Sequence, residues 1–300
     1  MIAPFAERLA EAADRTAPVA VGLDPHLDHL PPSFRAGLPA TPGPAFRAAA
    51  AAAAEAFCAE VLHAVHGVVP VVKPQVAFFE QLGSPGVAAL ERTCALAREL
   101  GLLVLLDAKR GDISTTGEAY ARACLDPDGP IGADAVTLNA WMGLDTLDPY
   151  LPWVERYGRG LFVLVRTTNP GSALLQRHGE PGAALALAAG LQALNARLAG
   201  GGWGPVGAVV GAQAAAEAPA LRAALPGGWF LVPGVGAQGG AIAEALAGAG
   251  PDGRGALPVA SRSVIFARGE DGADIRAGVR ARAMALAEEV RGELRRRRRG

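Results

Sequence analysis

The sequence predicts an α/β protein of the (β/α)8 TIM-barrel class, and three observations lead there. Eight short runs rich in Val, Leu and Ala recur along 300 residues, and they read continuously apolar, as strands buried on both faces do. Stretches of helical character separate them, which is the alternation of a parallel α/β fold. Polar residues collect just after the runs, where a barrel assembles its chemistry at the C-terminal ends of its strands. A doubly wound open sheet is the alternative arrangement.

In chain order, strands are expected at 19–23, 68–73, 102–107, 135–138, 161–165, 206–210, 229–232 and 258–260. Helices are expected at 46–65, 87–100, 114–124, 183–198, 212–224 and 241–247, with a short one at 145–157 and a last one at 274–291. The alanine run 48–54 is a high-propensity helix segment. Nothing reads as an interdomain linker, so 1–300 is expected to form a single barrel domain. Its end, 295–300, carries five consecutive arginines and is expected to be a frayed, solvated tail.

With 51% hydrophobic and 19% charged residues, general disorder is excluded. The net charge is −1, and without the arginine run the body is mildly acidic. No nucleic-acid partner is therefore expected. Cys58, Cys94 and Cys124 form neither a CxxC pair nor an even framework, so they read as reduced core thiols. The first residues, MIAPFAERLAEAADRT, carry acids and no apolar run of signal-peptide length. The uncharged stretch 198–216 is broken by three glycines and Pro205. No membrane span and a cytoplasmic location are expected.

Only two of the 28 basic residues are lysine, Lys73 and Lys109. In a chain this biased toward arginine, either two lysines survive by chance or those positions need what a guanidinium does not offer. An ammonium is compact and can surrender its proton, whereas arginine stays charged in proteins. Lys73 ends the second strand, and Lys109 lies in Asp107-Ala108-Lys109-Arg110-Gly111-Asp112 directly after the third. Extended backbone places Asp107 and Lys109 on one side, toward the barrel mouth, and Gly111 can turn the chain before Asp112. A lysine flanked by carboxylates is held as the ammonium, ready to act as a general acid.

The other end of the mouth is read from Pro233 and the glycine-rich loop 234–240, between the seventh strand and a helix. Glycines there let backbone N–H groups approach an anion, and Arg262 after the eighth strand adds a cation. His26 and His29 share a loop with Asp24 and Asp28 but have no further ligand at metal-site spacing, so no metal is expected. His63 and His66, three apart on a helix, read as surface residues.

The string LLDAKRGDISTT resembles the branch of the orotidine 5′-phosphate decarboxylase family that carries DAKRGDI. VGLDP, VVKPQVAFFE, DAVTLNAWMG, VRTTNPGS, VPGVGAQGG and ASRS fall in the family's order, so the resemblance extends across nearly the whole chain. It implies decarboxylation of orotidine 5′-phosphate to uridine 5′-phosphate in pyrimidine biosynthesis, without metal or organic cofactor, by a homodimer. It also implies that Lys109 protonates C6 of the pyrimidine and that Asp107 lies beside the departing carboxylate. Lys73 would link the ribose hydroxyls to the carboxylates, Asp24 would bind the ribose, and Thr168 would face the pyrimidine edge. Gln238 and Arg262 would hold the 5′-phosphate. Asp112 and Thr116 would cross to the partner subunit's site, making composite active sites. Ser261 departs from the glycine that many members of the family carry before this arginine.

Related barrels use the D-x-K-x-x-D pattern with Mg²⁺, but they need an acidic ligand near the second strand. Here Lys73-Pro74-Gln75 occupies it, and a cation there repels Mg²⁺. A Schiff-base aldolase needs a neutral amine, which two flanking acids oppose. A catalytically dead nucleotide-binding scaffold is the reading from another class, and the intact lysines and aspartates speak against it.

Overall fold

Eight parallel strands follow one another around a closed barrel in chain order, β1 pairing with β8 to complete it. They are β1 (Ala20–Leu23), β2 (Val71–Pro74), β3 (Leu103–Arg110), β4 (Ala135–Leu138), β5 (Gly160–Arg166), β6 (Val206–Val210), β7 (Phe230–Pro233) and β8 (Ala256–Ala260). The computed structural model describes residues 2–199, 202–236, 241–268 and 274–299. All eight expected strands are present, with ends that shift by up to three residues. Nearly every strand residue is buried, because side chains facing inward fill the barrel and those facing outward meet helices.

Two apolar layers result. The outer one lies between strands and helices, where Val61, Leu62, Phe57 and Cys58 of helix Pro44–Val65 are wholly buried. The inner one fills the barrel and includes Ala20, Val71, Leu105, Phe162, Leu231 and Leu257. Cys58, Cys94 and Cys124 are free and buried in the outer layer, as expected of core thiols. Burial pushes the Cys94 thiol up to about 12 and that of Cys124 to about 11.

Three features differ from the sequence expectation. The N-terminus contains an unanticipated helix, Phe5–Arg15, that plugs the bottom of the barrel. Phe5, Leu9 and Ala13 recur every four residues and are buried, a helical stripe that the short, acid-bearing segment hides from a search for apolar runs. Phe5 meets Phe162 edge to face at 5.9 Å. Gly160 permits this, since a Cβ there would fall 2.6 Å from the Phe5 ring.

The expected helix at 212–224 divides into a 3-10 turn, Ala212–Ala214, and helix Ala218–Ala224, with Pro219 near the second start. Part of the arginine run expected to fray is helical: helix Ile275–Arg297 takes in Arg295, Arg296 and Arg297, and Arg297 donates to the carbonyls of Leu246 and Ala243, both at 2.7 Å. Glu288 and Glu293 pair with Arg295, Arg296 and Arg297, so part of the charge that suggested fraying is offset along the helix.

Helix Pro44–Val65 is long and apolar enough, at mean hydropathy 1.4, to cross a membrane by length and composition. In the fold it is a core helix, half buried and packed against Ser84–Glu99 and Ile275–Arg297.

Candidate active site

The third strand carries the site's charges through an irregularity. Opposite β4, Leu106 pairs with Val136 and Arg110 with Leu138, so four residues of β3 span two of β4. The bulge contains Asp107, Ala108 and Lys109, and bulges re-aim side chains next to active sites. Lys109 has φ +47°, a left-handed conformation uncommon for a residue with a Cβ. Its N–H donates to Thr137 Oγ1 of β4 at 2.9 Å, pinning that backbone. Gly111 has no left-handed turn. A Cβ there would collide with the carbonyl of Asn139, so the glycine serves a close approach of the two loops rather than a turn.

Asp107 is the hub. Its Oδ2 accepts from Lys73 Nζ at 2.6 Å and Gln75 Nε2 at 2.9 Å, and its Oδ1 from Lys109 Nζ at 2.5 Å and Thr137 Oγ1 at 2.9 Å. Burial alone would push this carboxyl up, but the two ammonium groups and their hydrogen bonds hold it well below the usual carboxylate range. Burial would likewise push Lys73 down, yet Asp107 and Asp24 raise it, so it stays charged although buried. Lys109 differs from Lys73: 44% of its side chain is exposed, toward the mouth.

A cavity of about 410 Å³ opens at the C-terminal ends of the strands. Lys73, Asp107, Lys109, Thr168, Pro233, Asp24 and Arg262 all line it. Asp24 Oδ1 is buried without a hydrogen-bond partner among the described residues, an acceptor with nothing yet to accept from. Arg262 begins a short helix after β8 and lines the cavity together with Gly234 and Val235. Ser261 fits before it because Gly22 has no side chain to occupy the same space.

Two expected residues are not brought into this cavity. Asp112 accepts from its own neighbour, Ile113 N, at 2.8 Å, and Thr116 is exposed on helix Ser114–Leu125. Neither lines the cavity within one chain. Gln238 lies outside the described residues. Conversely, Gln75 and Thr137 hold Asp107 and were not singled out. Thr137 had a signal, as the one hydroxyl in the apolar run of β4. Gln75 had only its place after Lys73.

The loop after β5 is fastened from outside. Arg166 donates to Glu217 at 2.8 and 3.1 Å and to Ser172 Oγ at 2.9 Å, while Gln176 Oε1 accepts from Thr167 N at 2.8 Å. Hydrogen bonds from Arg166 and Arg177 lower the Glu217 carboxyl to about 2. Thr168 is thereby presented to the cavity by a braced loop. His26 and His29 pack against Phe78 and Phe266, at 4.2 and 5.5 Å between ring centres. Partial burial lowers His26 despite the nearby Asp24.

A closed parallel barrel with two lysines on one buried aspartate at its mouth defines an enzyme of the (β/α)8 barrel class. A family model described as Orotidine 5'-phosphate decarboxylase / HUMPS family matches residues 18–277, and the chain belongs to that family. A relative from Rhodopirellula baltica named Orotidine 5'-phosphate decarboxylase is 40% identical, covering 96% of this chain and 99% of its own. One of the same name from Deinococcus radiodurans is 41% identical, covering 78% and 84%. Among solved structures, Leishmania donovani OMP decarboxylase superposes with a TM-score of 0.75 at 33% identity, over 97% of this chain and 98% of that one.

Proposed function

We propose a course, carried by this chain's own residues, for the decarboxylation of orotidine 5′-phosphate to uridine 5′-phosphate, the activity its family and curated relatives carry. Arg262 and the backbone of Gly234, Val235 and Gly236 hold the 5′-phosphate, with Gln238 of the same loop as a further ligand. Asp24, through its unpartnered Oδ1, accepts a ribose hydroxyl, and Lys73 bridges the ribose to Asp107. Thr168 faces the pyrimidine edge. In this pose C6 faces the exposed Lys109 ammonium, and its carboxylate lies against Asp107.

The bond from C6 to the carboxylate then breaks, carbon dioxide leaves, and the electron pair stays on C6. Lys109, as ammonium, stabilises that pair and transfers a proton to it. The neutral amine regains a proton from solvent. Asp107 is ionised and saturated with donors, so it meets the substrate carboxylate as a fixed negative charge. The observation that carries the reading is this saturation: two ammonium groups already occupy the carboxylate that a Mg²⁺-dependent barrel would leave for its metal.

Asp112 and Thr116 act from the other subunit of a homodimer. What supports this is their position outside their own cavity, with Asp112 directly preceding the exposed Ile113 (52%). The test is uridine 5′-phosphate formation from orotidine 5′-phosphate by purified protein, with and without EDTA. Full activity in EDTA supports the course. Activity that requires added Mg²⁺ refutes it.

A further inference from the structure

At the opposite end of the barrel, a cavity of about 240 Å³ lies before β1, β7 and β8. Its walls are the C-terminal ends of helices Phe5–Arg15 and Ile275–Arg297. Arg254, Arg291, Arg295 and Arg298 line it against a single lining carboxylate, Asp14. Spacings of four and three residues place Arg291, Arg295 and Arg298 on one helix face, while Arg296 and Arg297 turn to Glu293 and to the Ala243 and Leu246 carbonyls.

The local pairing leaves this cluster cationic. Arg254 pairs with Asp14, and Arg291 and Arg295 share Glu288. Among the described residues Arg298 donates to the carbonyl of Asp252, whose carboxylate accepts from the backbone N–H of Arg254 at 3.0 Å. The second, independent observation is Trp229, which lines the cavity at 1% exposure. Its Nε1 is buried with no hydrogen-bond partner among the described residues. An indole N–H only donates, so the partner that completes it is an acceptor. Guanidinium forks in excess of carboxylates, in a cleft that is also lined by a tryptophan with an unpaired donor, match an oxyanion with several acceptor oxygens.

We propose that this cleft binds a phosphate dianion, separate from the phosphate held at the barrel mouth. The ligand is free inorganic phosphate or the phosphate of a phosphomonoester, which meet the arginines through the same oxygens. The site ties the last helix to the strand ends, so its occupancy stabilises the fold without entering the reaction.

The test titrates inorganic phosphate into the full chain at constant ionic strength, followed by calorimetry. The parent should take two phosphates per chain and Arg262→Ala one. In the Arg262→Ala background, adding Arg298→Ala should weaken the remaining site at least about tenfold, the loss of a charge-assisted contact. Trp229→Phe, which keeps the ring and removes the N–H, should weaken it severalfold. Arg298 is at the surface, so that variant reads the site even where Trp229→Phe perturbs packing. Adenosine 5′-phosphate binding more tightly than inorganic phosphate assigns the site to phosphomonoesters, and equal affinity assigns it to the free ion. No saturable binding in Arg262→Ala, or binding indifferent to Arg298→Ala, overturns the proposal. Two sites persisting in Arg262→Ala would instead move the mouth's phosphate ligand and leave the cleft in place.

Discussion

Each end of the barrel holds two cations on one aspartate, and they are finished differently. At the floor, Asp134 accepts from Arg8 at 2.6 Å, Arg159 at 3.4 Å and the N–H of Val104 at 2.9 Å. The arginines' other donors reach the carbonyls of Ala3, Gly158 and Leu125, and helix Phe5–Arg15 seals the group. At the mouth, Asp107 is equally saturated, but Lys109 is half exposed on a left-handed backbone and Asp24 keeps a bare oxygen. The Asp134 network closes on backbone, and the Asp107 network leaves a strained backbone and an unpaired oxygen beside it at the cavity. Such leftovers mark where chemistry is done, since a fold optimised only for stability removes them.

Lys109→Ala should break the comparison most sharply. It should lower kcat for orotidine 5′-phosphate by at least about 10³-fold, within or above the range of lost general-acid catalysis, while thermal unfolding shifts little. A variant retaining substantial turnover would place the proton elsewhere. Phe5→Ala tests the floor in the opposite sense. Emptying this buried ring should destabilise the barrel by about 3–5 kcal/mol, read by urea denaturation, with kcat unchanged in the folded fraction.

The composite mouth is sharpened by mixing subunits. Lys109→Ala and Asp112→Ala homodimers should each be nearly inactive. In a hybrid, one site carries both defects and the other neither, so statistical mixing should return about a quarter of parental activity. Demonstrated subunit exchange without recovery would put Asp112 in its own subunit's site.

The smallest effect concerns Glu217, which braces the loop bearing Thr168. Its carboxyl is lowered to about 2 in the folded protein, so its stabilisation is fully present above the unfolded carboxylate range. That contribution is lost as pH falls from about 4.5 toward 2. Glu217→Gln should therefore flatten the acid limb of stability measured by denaturation between those values. It should lower kcat/KM only a few-fold, because Ser172 and Gln176 still engage Arg166. An unchanged acid limb would show that the pair contributes nothing to stability.

Much of the mouth could be read in advance because strand ends carry few polar residues and each has a short list of purposes. Lys73, Asp107, Lys109, Asp24, Thr168, Pro233 and Arg262 all line one cavity, though they are spread over some 240 residues. Gln75 and Thr137 escaped notice because amide and hydroxyl side chains are common, and only their distance to Asp107 reveals them. The floor was less legible. Asp134, Arg8 and Arg159 come from three distant segments, and no spacing links them.

The order of strands and helices, the barrel class and the lysine-bearing cluster follow from the sequence alone, because apolar runs and charge spacing are local properties of the chain. The tertiary structure decided what local properties cannot express. Helix Phe5–Arg15 is a plug only because Gly160 leaves room beneath Phe162. Gly111 marks a close approach to Asn139 rather than a turn. Part of the arginine run is helical because Glu288 and Glu293 pair with it and the Ala243 and Leu246 carbonyls receive Arg297. In each case the deciding contact joins residues that meet only when the barrel closes, or charges whose cost depends on what surrounds them.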